Sequence, residues 1–177
     1  MTQMNHADMP REIERKYLIL YPDLVKLALI PGCRRTQIEQ TYLTDEDGMC
    51  RRVRKRGTPQ DGWQYTLTKK QHVAFGERIE LEEEITPEQY LALLHEAAPD
   101  KRTVRKERCV FTFRKQVFEL DLYEFSRTLA TLEIELEQID TPVTLPSFVQ
   151  VLRDVTDDER YSNYALSVHL AFPEMEE

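Results

Sequence analysis

The sequence predicts a mainly β fold: eight antiparallel strands closed into a barrel, with a few amphipathic helices packed outside. Three observations predict it. Successive short segments alternate charged with apolar side chains, the period of two that belongs to strands with two different faces. Little helix lies between these segments, so strands adjacent in sequence pair as antiparallel neighbours. The polar face carries formal charge of both signs in strand after strand, where an ordinary solvent-facing sheet mixes in Ser, Thr and Gln.

Length and composition set the limits. The 177 residues are read as one domain, 1–177, with 1–10 as a loose polar tail. Net charge is −8, which argues against a general nucleic-acid surface, so nucleic acid is not an expected partner. The five glycines form no phosphate-cradling Gly-rich loop, which disfavours P-loop and dinucleotide folds. Three widely spaced cysteines offer no CxxC pair and fit a reduced setting. No stretch reads as a secretory leader or a membrane span, so a soluble, cytoplasmic protein without a membrane partner is expected. Whether it is a monomer or a homodimer stays open.

The first strand, Arg11 to Leu20, sets Glu12, Glu14 and Lys16 on one face and Ile13, Arg15 and Tyr17 on the other. Carboxylates about 7 Å apart, with an ammonium next in line, suit a hard divalent cation beside a phosphate. A short apolar helix, Leu24 to Ile30, follows and stops at Pro31-Gly32. Strand two, Thr36 to Leu43, places Gln40 and Tyr42 on one face; Thr44 to Gly48 reads as a solvated turn, since the other ligands of a calcium loop are missing. Strand three, Met49 to Arg56, aligns Arg52, Arg54 and Arg56 opposite Arg51, Val53 and Lys55. A hairpin loop, 57–62, leads to strand four, Trp63 to Lys70, with Thr66, Thr68 and Lys70 together. Strand five, Gly76 to Ile85, sets Arg78, Glu80, Glu82 and Glu84 against Ile79 and Leu81.

Thr86-Pro87 with Gln89 opens a helix to Ala97: Thr caps, Pro takes the first turn, and Gln completes a capping box. Strand six, Thr103 to Arg114, carries Lys106 and Arg108 on one face. Strand seven, Val117 to Phe125, sets Glu119, Asp121 and Tyr123 against Phe118, Leu120 and Leu122. Strand eight, Thr131 to Ile139, sets Glu133, Glu135 and Glu137 against Leu132, Ile134 and Leu136. Apolar spacing predicts a helix from Pro146 to about Val155, and a last one from Ser162 to Leu170, capped by Ser162 or Asn163.

Apolar faces need the helices as cover, so the charged faces turn inward around water. Burying so many charges in a dry core would cost several kcal/mol each, on the order usual for unpaired ions. A hydrated tunnel with an ionic ligand avoids that cost: paired carboxylates recruit a divalent metal through oxygen, and arginines and lysines clamp phosphate.

These residues resemble the CYTH superfamily, or triphosphate tunnel metalloenzymes. The resemblance rests on an ordered set: Glu12-x-Glu14-x-Lys16, Gln40-Thr41-Tyr42-Leu43, Arg52-x-Arg54, Thr68-x-Lys70, Arg78-x-Glu80-x-Glu82, Lys106-x-Arg108, Asp121, Glu133-x-Glu135 and Arg160-Tyr161-Ser162-Asn163. It runs from residue 11 to about 167 and is most similar to the compact bacterial inorganic triphosphatases. It implies an eight-stranded tunnel that hydrolyses a triphosphate, first of all inorganic tripolyphosphate, with Mg²⁺ or Mn²⁺. Thiamine triphosphatase, class IV adenylyl cyclase and a non-catalytic polyphosphate- or nucleotide-binding module are the alternatives.

The resemblance also implies roles. Glu12, Glu14, Glu133 and Glu135 form the metal cluster, with Glu80, Glu82 and Asp121 for a second metal or the attacking water. Lys16, Arg52, Arg54, Lys70, Arg78, Lys106, Arg108 and Arg160 bind phosphate. Lys16, Glu82 and Tyr42 are the catalytic candidates, Tyr42 with Lys70 resembling a Tyr–Lys pair of thiamine triphosphatases. Ser162 stands where many relatives carry a base, which leaves the terminal contribution to Arg160.

Overall fold

The computed structural model of the chain describes residues 13–72, 78–138 and 140–174, with the backbone alone described at 71, 72, 78 and 79. The elements in order are β1 (Ile13–Leu20), α1 (Leu24–Ala28), β2 (Arg34–Glu46), β3 (Met49–Thr58), β4 (Gly62–His72), β5 (Arg78–Glu84), α2 (Pro87–Leu93), β6 (Val104–Phe113), β7 (Gln116–Tyr123), β8 (Leu129–Leu136), β9 (Val151–Asp154) and α3 (Asn163–His169). The strands form one antiparallel sheet in the order β5-β4-β3-β2-β6-β7-β8-β1-β9.

Two expectations are corrected here. The sheet has nine strands, and among the described residues it does not close. The edge of β1 that closure would need is taken by β9, which pairs Tyr17 with Asp154 and Leu18 with Arg153. The segment expected to be a helix from Pro146 to Val155 is a turn, closed by the Val149 amide on the Pro146 carbonyl at 3.0 Å, followed by β9, because its apolar residues have a sheet edge and a core to fill. Phe148, Val149 and Val151 pack on the main apolar cluster, and Val155 joins Leu18 and Tyr161. The Val155 amide donates to the Lys16 carbonyl, tying β9 to β1.

Local chemistry explains the connections. Asp47 and Gly48 both adopt positive φ in the β2–β3 turn, the backbone a tight two-residue hairpin demands. At Gly57, a Cβ would lie 2.0 Å from the Gly62 carbonyl oxygen, so no other residue lets the β3–β4 hairpin close this way. The Thr86–Gln89 capping box forms at α2 as its sequence predicts.

The sheet has two unlike faces. One is apolar: β1, β6, β7 and β8 contribute Tyr17, Ile19, Cys109, Phe111, Phe118, Leu120, Leu132, Ile134 and Leu136, covered by Leu24 and Leu27 around α1 and by residues 143–151. On the same side of β2, β3 and β4, Leu43, Val53 and Leu67 receive Tyr90 of α2. Arg51 points to this side as well and is 5 % exposed; its guanidinium donates to the Thr44 carbonyl and to Glu96, which fastens the turn after α2 to the sheet. Leu81, expected under that cover, is 57 % exposed because α2 packs on β3 and β4 and leaves β5 bare. β5 is therefore a solvated edge strand, with Glu80, Glu82, Glu83 and Glu84 all exposed.

Candidate active site

Register carries the other face across eight strands. Glu82 lies opposite Thr68, Thr68 opposite Arg52, and Arg52 opposite Tyr42. Arg54 lies opposite Gln40, Thr36 opposite Arg108, and Arg108 opposite Asp121. Glu119 lies opposite Glu133, Glu133 opposite Lys16, and Glu135 opposite Glu14. One end of this face is floored by α3: Tyr164 meets the Tyr42 ring edge-on at 5.1 Å, and Leu166 packs with Val104 and Tyr123.

Asp121 is the buried hub, 0 % exposed. The Arg108 Nε and Nη2 donate to its two oxygens at 2.7 and 2.8 Å, and the Lys106 Nζ approaches at 2.5 Å. Burial pushes the Asp121 carboxyl up, but Lys106 and Arg108 outweigh it and hold the group well below the usual carboxylate range. Burial pulls the Lys106 ammonium down to about 8, against the attraction of Asp121. Arg108 supplies a second cation that Lys106 cannot take away, and burial of its own guanidinium is outweighed by Asp121, Glu133 and Glu119, which raise it further. Arg108 also contacts Glu119 through Nη1 and reaches Glu133 at 3.3 Å. Lys106 and the Tyr123 hydroxyl both donate to the Asn163 Oδ1, at 3.3 and 3.0 Å. Ser162 is the cap of α3, which frees Asn163 for this contact.

The β3 arginines are less well supplied with counter-charge. Arg52 lies 3.8 Å from Glu80, which Lys70 holds at 3.0 Å. Among the described residues no carboxylate lies within ion-pair distance of Arg54. Its Nε and Nη2 donate instead to the Gln40 Oε1, both at 3.2 Å. Burial, then the neighbouring charge of Arg52, with smaller pushes from Arg108 and Arg56, lowers the affinity of Arg54 for its proton; Glu82 opposes them. Crowded, desolvated cations with too few anions form a site that an added polyanion would relieve.

The acids of β1 and β8 show the opposite imbalance. Burial, then Glu133, pushes the Glu14 carboxyl up, with a smaller push from Glu135, against Lys16 and Arg108. Glu133 is drawn aside by Lys16, at 2.9 Å. Hard, crowded oxygen donors of this kind suit Mg²⁺ or Mn²⁺. No group of three side chains gathered to hold a metal is present among the described residues, and Glu12, the fourth expected ligand, lies outside them.

The remaining expected residues fall as follows. Glu82 accepts from the Thr68 hydroxyl at 2.9 Å. The Tyr42 hydroxyl accepts from the Gln40 amide at 2.8 Å; burial raises its pKa, with Arg52 opposing, so it is a protonated phenol near neutrality. Arg160 forks onto Asp158 in the turn before α3. The Arg78 side chain lies outside the described residues. Glu80 and Glu82 belong to β5, at the far edge of the sheet from Glu14, Glu133 and Glu135. Two residues of the network, Gln40 and Asn163, were not among the expected site residues, because neutral amides carry no charge signal.

A model of the CYTH domain matches residues 10–162. The chain belongs to the CYTH family. The charged face just described lies on the strands of that CYTH domain. The crystal structure of the inorganic triphosphatase NE1496 is similar at a TM-score of 0.64 and 29% identity, covering 90% of this CYTH chain and 96% of that one. A crystal structure described as the hypothetical protein NE1496 gives 0.62 and 29%, covering 92% and 99%. No curated protein matches the chain.

Proposed function

We propose that this CYTH protein is a metal-dependent triphosphatase that cleaves inorganic tripolyphosphate to pyrophosphate and phosphate. The observation that carries the reading is Arg54: a half-buried guanidinium, crowded by Arg52, given an amide rather than a carboxylate as its partner. The similarity to an inorganic triphosphatase supports the choice of substrate.

Arg52, Arg54, Lys106 and Arg108 bind the phosphate oxygens, with Lys70 and Lys16 at the flanks; Arg78 and Arg160 extend the set. Asp121 aims Arg108 and Lys106 by holding both. Glu14, Glu133 and Glu135, together with Glu12, would hold Mg²⁺ or Mn²⁺, which neutralises phosphate charge and acidifies water when bound. Glu82 orients a water whose oxygen bonds to the terminal phosphorus. The anhydride P–O bond opposite breaks, pyrophosphate leaves with the electron pair, and the proton of the water passes to solvent. Positioning and charge neutralisation suffice for such a transfer, and no covalent intermediate is involved. Tyr42, a protonated phenol, accepts from the Gln40 amide and meets Tyr164 of α3 edge-on.

Phosphate release from tripolyphosphate is expected with Mg²⁺ or Mn²⁺ and should cease in excess chelator. Thiamine triphosphate and ATP serve as comparison substrates, and cyclic nucleotide from ATP would mark a cyclase. Release that persists unchanged in chelator, or none with either metal, sinks the reading. Arg54→Ala should weaken tripolyphosphate binding by about 1.5–3 kcal/mol, the worth of a charge-assisted contact. The fold should survive, since relief of the repulsion from Arg52 offsets the two hydrogen bonds lost at the Gln40 Oε1; an unaltered Michaelis constant would remove Arg54 from the clamp.

A further inference from the structure

Gln40 is 1 % exposed, in the middle of β2, between two groups of the charged face. Its Oε1 accepts both forked hydrogen bonds of Arg54, and its Nε2 donates to the Tyr42 hydroxyl. Both functional atoms of the amide are therefore spent on orienting neighbours. Elsewhere on this face the aiming group is a carboxylate: Asp121 for Arg108 and Lys106, Glu133 for Lys16. A carboxylate at 40 would satisfy the same geometry, taking the Arg54 fork on one side and the Tyr42 O–H on the other. It would also neutralise the guanidinium that the substrate must meet.

We propose that Gln40 is a positioning residue whose neutrality sets triphosphate affinity: it aims the Arg54 fork into the site while leaving its full charge for a phosphate. This rests on the triphosphatase reading given above. Fixed geometry keeps the guanidinium ready, which removes an ordering cost from binding. Withheld counter-charge keeps the attraction of Arg54 undivided, whereas Arg108 and Lys106 share theirs with Asp121 and meet a phosphate only with what that pairing leaves. The two effects act on bound substrate before any bond changes, so they belong to uniform binding and are read in KM rather than kcat.

The test is Gln40→Glu, measured three ways. Tripolyphosphate binding, by titration calorimetry without turnover, should weaken by about tenfold or more, as loss of one close charge contact does. The Michaelis constant should rise by the same factor while kcat stays within about threefold. The melting temperature should be unchanged or higher, because a buried ion pair replaces a neutral contact. A second variant, Gln40→Met, removes the same hydrogen bonds and adds no charge, so its binding of tripolyphosphate should fall less than that of Gln40→Glu. Binding by Gln40→Glu as tight as wild type overturns the proposal. So does a Gln40→Met protein that loses as much binding as Gln40→Glu, with a lowered melting temperature in both, which would make Gln40 a packing residue only. A wild-type protein that binds tripolyphosphate without hydrolysing it defeats the enzyme reading and leaves this inference standing on the calorimetry; wild type that binds none defeats both.

Discussion

Replacing Asp121 with Asn should lower the free energy of unfolding by about 3–5 kcal/mol, the cost of stripping a buried charge cluster of its counter-ion. Asp121 has no exposed surface and anchors two cations, Lys106 and Arg108, whose side chains are themselves buried or nearly so. Asn keeps the shape but leaves those cations facing each other. The pH dependence has a defined sign. A carboxyl whose folded pKa is depressed contributes stability above its unfolded pKa, about 4, and loses it as pH falls through the lower folded value. The gap between wild type and Asp121→Asn should therefore be widest near neutrality and shrink in strong acid. Denaturant titrations read it directly, and a gap under about 1 kcal/mol near neutral pH would mean the pair is not the structural hub described here.

Glu133→Gln should lower turnover of tripolyphosphate at least about a hundredfold, the scale of losing a main electrostatic group of an active site. Glu133 connects the two halves of the face: it holds Lys16 at 2.9 Å, touches Arg108 at 3.3 Å, and crowds Glu14. Gln removes one of the charges proposed to hold the metal and releases Lys16. Stability should fall far less than in Asp121→Asn, because Arg108 keeps both its bonds to Asp121. Single-turnover phosphate release at saturating substrate and metal is the measurement; a loss below about tenfold would take Glu133 out of the chemistry.

Much of this face was legible because charge and alternation coincide. Arg52 and Arg54 fall on one side of β3 and Arg51 on the other, as a period of two requires, and Arg51 serves as an anchor for the turn after α2. The Glu–Glu and Lys–Glu juxtapositions between β1 and β8 needed register, which no local pattern carries. The segment 146–155 was misread because Phe148, Val151, Leu152 and Val155 recur at helical spacing, whereas the deciding partner, the free edge of β1, lies far away in sequence. Leu81 was misjudged for a related reason: alternation tells which side a residue takes, not how far a helix extends over it. Gln40 and Asn163 stood in the sequence motifs without a role, because a buried amide matters through its neighbours, and those are known only once the strands are paired.

The bare fifth strand has a consequence for how the protein behaves in concentrated solution. A sheet edge invites a second sheet to add on, and along the edge that β5 forms among the described residues Glu80, Glu82, Glu83 and Glu84 make a row of exposed acids. An approaching copy would bring its own row of glutamates against them. That protection is electrostatic, so it weakens as ions accumulate, and divalent cations shield carboxylates more strongly than sodium does. A divalent metal supplied for the proposed reaction would thus also erode the barrier to strand addition, and colloidal stability at high protein concentration should fall as the divalent-ion content of the buffer rises.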